Sequence, residues 1–247
     1  MPTIYLSPST QEFNTYYDSS GSEEYYMNLI ADAMEPFLYA SGINFVRNTP
    51  DMTAASSIRE SNAGNYDFHL ALHSNASGGT YGAVTGSEVY YSPVSQDGRR
   101  AADIIANNLK LIYPNANKVR TIATTSLGEV ARTRAPAVLI EFAFHDNPSD
   151  AEWIKNNITN IAENVVLSLA DYFGIPFILP EPFQRRIVST KSGGPLNFRS
   201  GPTLEASVIA KIPNGTVLNV YGVLSDWSAV EYGGQRGYVN NAFLREI

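Results

Sequence analysis

The 247-residue sequence contains no cysteine. That absence excludes disulfide frameworks, thiolate nucleophiles and cysteine-based zinc sites. Any metal must be held by histidine, carboxylate or neutral oxygen donors. Histidine is scarce as well: there are three, and His69 and His73 stand four residues apart in "DFHLALHSNASGG". No apolar run approaches the ~20 residues of a membrane-spanning helix, and the N-terminal "MPTIYLSPST" lacks a charged segment followed by an apolar one. The expectation is a chain without membrane insertion. Positive charge is thin over most of the length. Residues 1–182 carry 10 Lys and Arg against 20 Asp and Glu, whereas residues 183–247 carry 7 against 4. An acidic front with a mildly basic tail argues against nucleic acid as the main partner.

What is present divides at "GIPFILPEPFQRR", where three prolines in a short span forbid a continuing helix and favour an extended connector. The expected division is a domain over 1–175, a Pro-rich linker over 176–186 and a second domain over 187–247. Before the prolines, strand-like and helix-like segments alternate. "TIYL", "INFV", "DFHLALH", "SEVYYSP" and "AVLIEFAF" read as strands. "SEEYYMNLIADAMEPFL" places Met27, Ile30, Ala31, Met34 and Leu38 on one helical face, with Ser20 or Ser22 as its cap and Glu23 and Glu24 in its first turn. "ASSIRESNA" reads as a short helix, "DGRRAADIIANNLKLIY" as an amphipathic one, and residues 148–173 as one long helix stopped by Gly174. This interleaving predicts an α/β domain with a mixed, largely parallel sheet flanked by helices. From Ile187 on, only short strands and Gly-rich turns occur, the pattern of a small all-β barrel.

The two neighbouring histidines look like a metal pair, but strand geometry opposes it. On a strand they share a face about 13 Å apart, whereas donors around one zinc lie within ~4 Å of each other. At most one is a ligand. His73 ends the apolar run, at the carboxyl end of a strand, where α/β folds place their sites. His69 lies deeper and reads as a satisfied core histidine. His145 follows "LIEFAF", again at a strand end. Glu141 is a carboxylate inside an apolar strand, costly to bury without a metal or a partner. Its bland explanation is an ion pair with Arg132 or Arg134.

Four fragments together carry a resemblance: "GSEEYYMNLIADAM", "SNAGNYDFHLALHSNA", "GSEVYY" and "APAVLIEFAFHDNPSDAEWI". In this order and spacing, residues 1–173 resemble the zinc-dependent N-acetylmuramoyl-L-alanine amidases of the amidase-3 family. The resemblance implies one Zn²⁺ ion and hydrolysis of the amide joining N-acetylmuramic acid to L-alanine in peptidoglycan. It implies Glu24 and His73 as zinc ligands, Glu141 as the catalytic glutamate and Asn75, in the His73 element, as a substrate contact. One departure stands out. The family's first zinc histidine aligns with Thr10 in "LSPSTQEFN", and no histidine occurs in the first 68 residues. The third ligand is then Gln11, through its amide oxygen, or His145, or none. With none, the chain is a non-catalytic wall-binding protein with a degenerate metal site.

The tail, with "LNFRSGP", "IPNGT", a tryptophan and "GYV" in order, resembles a bacterial SH3-like domain. That implies a cell-wall ligand and an extracellular or cell-wall location. Tyr221, Trp227 and Tyr238 are candidates for a ligand groove, and barrel core is the competing assignment for the last two.

Overall fold

The computed structural model describes residues 1–78 and 80–247, with the backbone alone at Phe183. The first part runs β1 (Thr3–Pro8), α1 (Glu23–Ala40), β2 (Asn44–Arg47), α2 (Ala54–Ala63), β3 (Phe68–Asn75), β4 (Ser87–Tyr91), α3 (Gln96–Leu109), β5 (Val119–Ala123), α4 (Gly128–Ala131), β6 (Ala137–Phe144), α5 (Pro148–Asn156) and α6 (Ile158–Phe173). Its six strands form one sheet in the order β2-β1-β3-β6-β4-β5. The pairs β1–β3, β3–β6 and β4–β5 are parallel, and β4 pairs antiparallel with β6. The sheet is mixed and flanked by helices, as the alternating pattern predicts.

The two central strands are buried almost throughout, which is why they read as continuous apolar runs. Helix α1 starts where Ser22 Oγ accepts a hydrogen bond from Tyr25 N at 3.1 Å, and it continues through Pro36 to Ala40. Helix α3 turns Ala102, Ile105 and Leu109 inward, as its periodicity requires. The long helix expected over 148–173 is instead two. Asn157 leaves helical geometry at φ −127°, ψ 20° and ends α5 before α6 begins. The apolar pattern is continuous across the break, so only the backbone reveals it. Gly174 closes α6 in the left-handed conformation at φ 65°, where glycine carries no Cβ penalty.

The second part is all β: β7 (Pro180–Val188), β8 (Leu196–Arg199), β9 (Val208–Ile212), β10 (Val217–Leu224), β11 (Trp227–Tyr232), β12 (Gln235–Asn240) and β13 (Leu244–Glu246). These strands form an antiparallel sheet in the order β13-β7-β10-β11-β12-β8-β9 around Val188, Phe198, Ile212, Val220, Val230 and Val239. The stretch expected as a linker over 176–186 is extended, but from Pro180 onward it is paired with β10 and β13. Proline tolerates an extended strand wherever its missing N–H is not needed. By packing, Thr3–Met34 with Phe45–Gly174 form one compact unit, and Met1–Pro2, Glu35–Asn44 and Ile175–Ile247 the other. Tyr238 is buried in that second unit beside Ala40, Ile178 and Ala229, so it is core and not groove. Trp227 is half-buried and lines a groove of about 460 Å³ with Lys191, Arg199 and Phe243; Tyr221 packs against Tyr39.

Candidate active site

Strand register builds the site before any side chain is considered. His73 on β3 is paired with Glu141 on β6, Glu141 with Glu88 on β4, and Glu88 with Arg120 on β5. Partners in register project to the same face of a sheet. One row across four strands therefore carries an imidazole, two carboxyls and a guanidinium.

The outer half of this row is satisfied. Arg120 binds Glu88 Oε1 through both Nε and Nη2, while Asn75 Nδ2 and the Tyr90 hydroxyl donate to Glu88 Oε2 at 3.1 and 2.5 Å. Glu141 is left over. Its Oε2 is sealed from solvent and has no hydrogen-bond partner among the described residues. Neither Arg132 nor Arg134 is paired with it; Arg134 instead donates to the Asn62 carbonyl. Burial pushes the Glu141 carboxyl up to about 8; His73 opposes the rise, and Glu23, Glu88 and Glu129 add to it.

That rise has a measurable consequence. The folded, metal-free protein holds the Glu141 proton up to about pH 8, whereas a free glutamate releases it near 4.5. The stabilising protonated form is present below the unfolded value and is lost as pH rises through the folded one. Denaturant titrations of metal-free protein should show the wild type losing about 2 kcal/mol relative to Glu141→Gln between pH 6 and 8.

His73 is buried, and both ring nitrogens are engaged. Nδ1 meets Glu23 Oε1 at 2.7 Å and Nε2 meets Glu129 Oε2 at 3.1 Å. Burial alone would depress the His73 pKa, but hydrogen bonds to Glu129 and Glu23 raise it well above the ordinary value. For Glu23 and Glu129 likewise, burial works against ionisation and is outweighed by the histidine contacts, so both lie below the usual range. Glu23 also accepts from Asn14 Nδ2 at 2.7 Å and lies in the first turn of α1, where the helix dipole favours a negative charge.

This corrects the position of the helix carboxylate. Glu24 is half-buried and lines a separate groove with Tyr25, Asn28, Asp32 and Arg47. Successive residues on a helix point about 100° apart, so only one of two adjacent glutamates can meet His73, and it is Glu23. Gln11 does reach the site: its amide nitrogen lies 3.5 Å from both His73 Nδ1 and Glu23 Oε1. Thr10 lines the adjoining cleft of about 320 Å³ with Gln11, Phe13, Asn48, His73 and Glu129. His145 stays outside, its Nδ1 3.1 Å from Ser74 Oγ and 2.8 Å from the Ser74 carbonyl. Asn75 meets Glu88 and not the His73 cluster.

His73 Nδ1, Glu23 Oε1 and the Gln11 amide thus converge at separations of 2.7, 3.5 and 3.5 Å. Donors about 2.1 Å from a tetrahedral ion are ~3.4 Å apart; the two Gln11 separations match this spacing, whereas the 2.7 Å between His73 and Glu23 is a hydrogen bond that an ion would have to open, and the Gln11 amide, whose oxygen accepts from Asn14 Nδ2, would have to turn to present that oxygen. Among the described residues, no three His, Cys, Asp or Glu side chains form a metal group. A third donor would have to be the Gln11 amide.

A family model described as N-acetylmuramoyl-L-alanine amidase matches residues 11–171, more than half of the chain. The chain belongs to this amidase family. A bacterial SH3 domain follows at residues 194–245. An N-acetylmuramoyl-L-alanine amidase from Clostridium difficile 630 superposes with a TM-score of 0.63 at 19% identity, covering 70% of this chain and 97% of that one. The catalytic domain of CwlV from Paenibacillus polymyxa gives 0.62 at 15%, covering 71% and 100%. At these identities the likeness is one of fold. In sequence, the protein YraJ of Bacillus subtilis is 32% identical over 71 residues, a match spanning 24% of this chain and 60% of that protein. Among the described residues of this family member, no helix is long and apolar enough to cross a membrane.

Proposed function

We propose that the protein is a zinc-dependent peptidoglycan hydrolase that cleaves the amide between N-acetylmuramic acid and the L-alanine of the stem peptide. The observation that carries this reading is the pairing in register of His73 with Glu141, whose buried carboxyl oxygen has no partner. His73, Glu23 and Gln11 would hold the ion. When bound, zinc supplies a Lewis acid for the amide carbonyl and water of lowered pKa. The remaining chemistry belongs to the chain. The charge of a cation beside His73 favours the ionised form of Glu141. Glu141 then takes a proton from the attacking water and returns it to the departing alanine nitrogen. The cleft beside Thr10, Phe13 and Asn48 offers room for substrate. The SH3 domain, with its groove beside Trp227, Lys191 and Arg199, would hold the protein to the wall, consistent with an extracellular or cell-wall location.

The second reading, a non-catalytic wall-binding protein, is favoured by one observation. Among the described residues, His73 and Glu23 are joined by no third His, Cys, Asp or Glu side chain in a metal-holding group. Purified cell walls separate the two. The enzyme is expected to release new L-alanine amino termini without new sugar reducing ends, and to stop when zinc is chelated. Walls that gain no amino termini, while still pulling the protein from solution, would establish the binding role instead.

A further inference from the structure

Glu129 enters the site from α4, far in sequence from the other residues there, and its two oxygens are fully used. Oε2 accepts from His73 Nε2 at 3.1 Å. Oε1 accepts from Ser7 Oγ at 2.5 Å and from His69 Nε2 at 3.3 Å. On the far side of that ring, His69 Nδ1 meets Ser61 Oγ at 2.9 Å. Ser7 Oγ in turn receives Asn48 Nδ2 at 3.3 Å. All of these side chains are buried.

We infer that Glu129 is a positioning residue for the metal centre, fixing the His73 ring so that Nδ1 faces Glu23 and Gln11. The inference rests on the zinc-hydrolase reading above. Proton accounting supports it. His69 Nε2 faces a carboxylate oxygen and so carries its proton there, and in the neutral ring Nδ1 then accepts from Ser61. The same carboxylate holds the His73 proton on Nε2, so a cation beside Glu23 and Gln11 would displace only the Nδ1 proton that faces Glu23. A histidine ligand whose other N–H is held by a carboxylate keeps one tautomer and one ring orientation. His69 is therefore more than core filling: it and His73 share one carboxylate, and it holds that carboxylate in place. The support falls on His73 because Gln11 is a weak donor, and His73 is the sole nitrogen ligand of the set.

The test uses the full chain. Zinc affinity is measured by competition with a chromogenic chelator, and the ring nitrogens are read from ¹⁵N-histidine spectra of zinc-loaded protein. Wild type should show His73 with its proton on Nε2. Glu129→Gln and Glu129→Ala, folded by circular dichroism, should bind zinc about 10–100-fold more weakly and lose that single tautomer. Ser61→Ala, one step further out, should weaken zinc less than either. Folded Glu129→Gln with unchanged zinc affinity and unchanged His73 nitrogens would overturn the inference alone. Should both Glu129 variants fail to fold, the wild-type spectrum still decides, since a proton on Nδ1 of zinc-loaded His73 contradicts the assignment. Wild-type protein that takes up no zinc overturns the metal reading and this inference together.

Discussion

Glu141→Gln is expected to lower amidase activity by about 10²–10⁴-fold while zinc binds as tightly as in wild type. The substitution keeps the size of the side chain and removes its capacity to carry a proton from water to the leaving nitrogen. Because Glu141 makes no hydrogen bond through Oε2, the amide breaks no contact there. Loss of zinc in this variant would mean that Glu141 is a ligand and not the acid–base group. Unchanged cleavage would remove it from the mechanism altogether. Stopped-time assays of stem-peptide release and metal analysis on the same preparation distinguish these outcomes.

The second large effect separates two adjacent residues. Glu23→Ala should abolish measurable zinc uptake and destabilise the metal-free protein by about 3–5 kcal/mol, the usual cost of stripping one partner from a buried ionic pair. Glu24→Ala should change neither by more than ~0.5 kcal/mol, as expected for a half-exposed helix position. The structural cause is the 2.7 Å contact between Glu23 and His73, set against the separate groove that Glu24 lines. Zinc competition and denaturant unfolding report both terms. The reverse pattern would place α1 one residue out of phase.

Much of this site was legible in the sequence, and what was not has definite physical reasons. His73 and Glu141 announce themselves because each is a polar group at or within a buried apolar strand, and burial of that kind demands an explanation. Gln11 follows from the loop position next to the missing histidine. Glu23 and Glu24 cannot be separated by composition alone, since the choice depends on helix phase, which apolar periodicity fixes only to within about one residue. Glu129 was missed because α4 is four residues long and supports no periodicity. Its one signal was a charge among small and apolar residues in "SLGEVA", the same oddity that marks Glu141 but in weaker surroundings. Strand β5 escaped for a related reason, its exposed "VRTIA" lacking the apolar run of a central strand.

The separations in sequence within the His73 cluster have a consequence for when activity can first exist. Glu23 lies 50 residues from His73, Glu129 lies 56 beyond it, and Ser7 meets Glu129 across 122. No two of these groups are brought together by a local element; each contact waits on closure of a long loop. The full set, Glu141 included, is therefore complete only once β6 lies between β3 and β4.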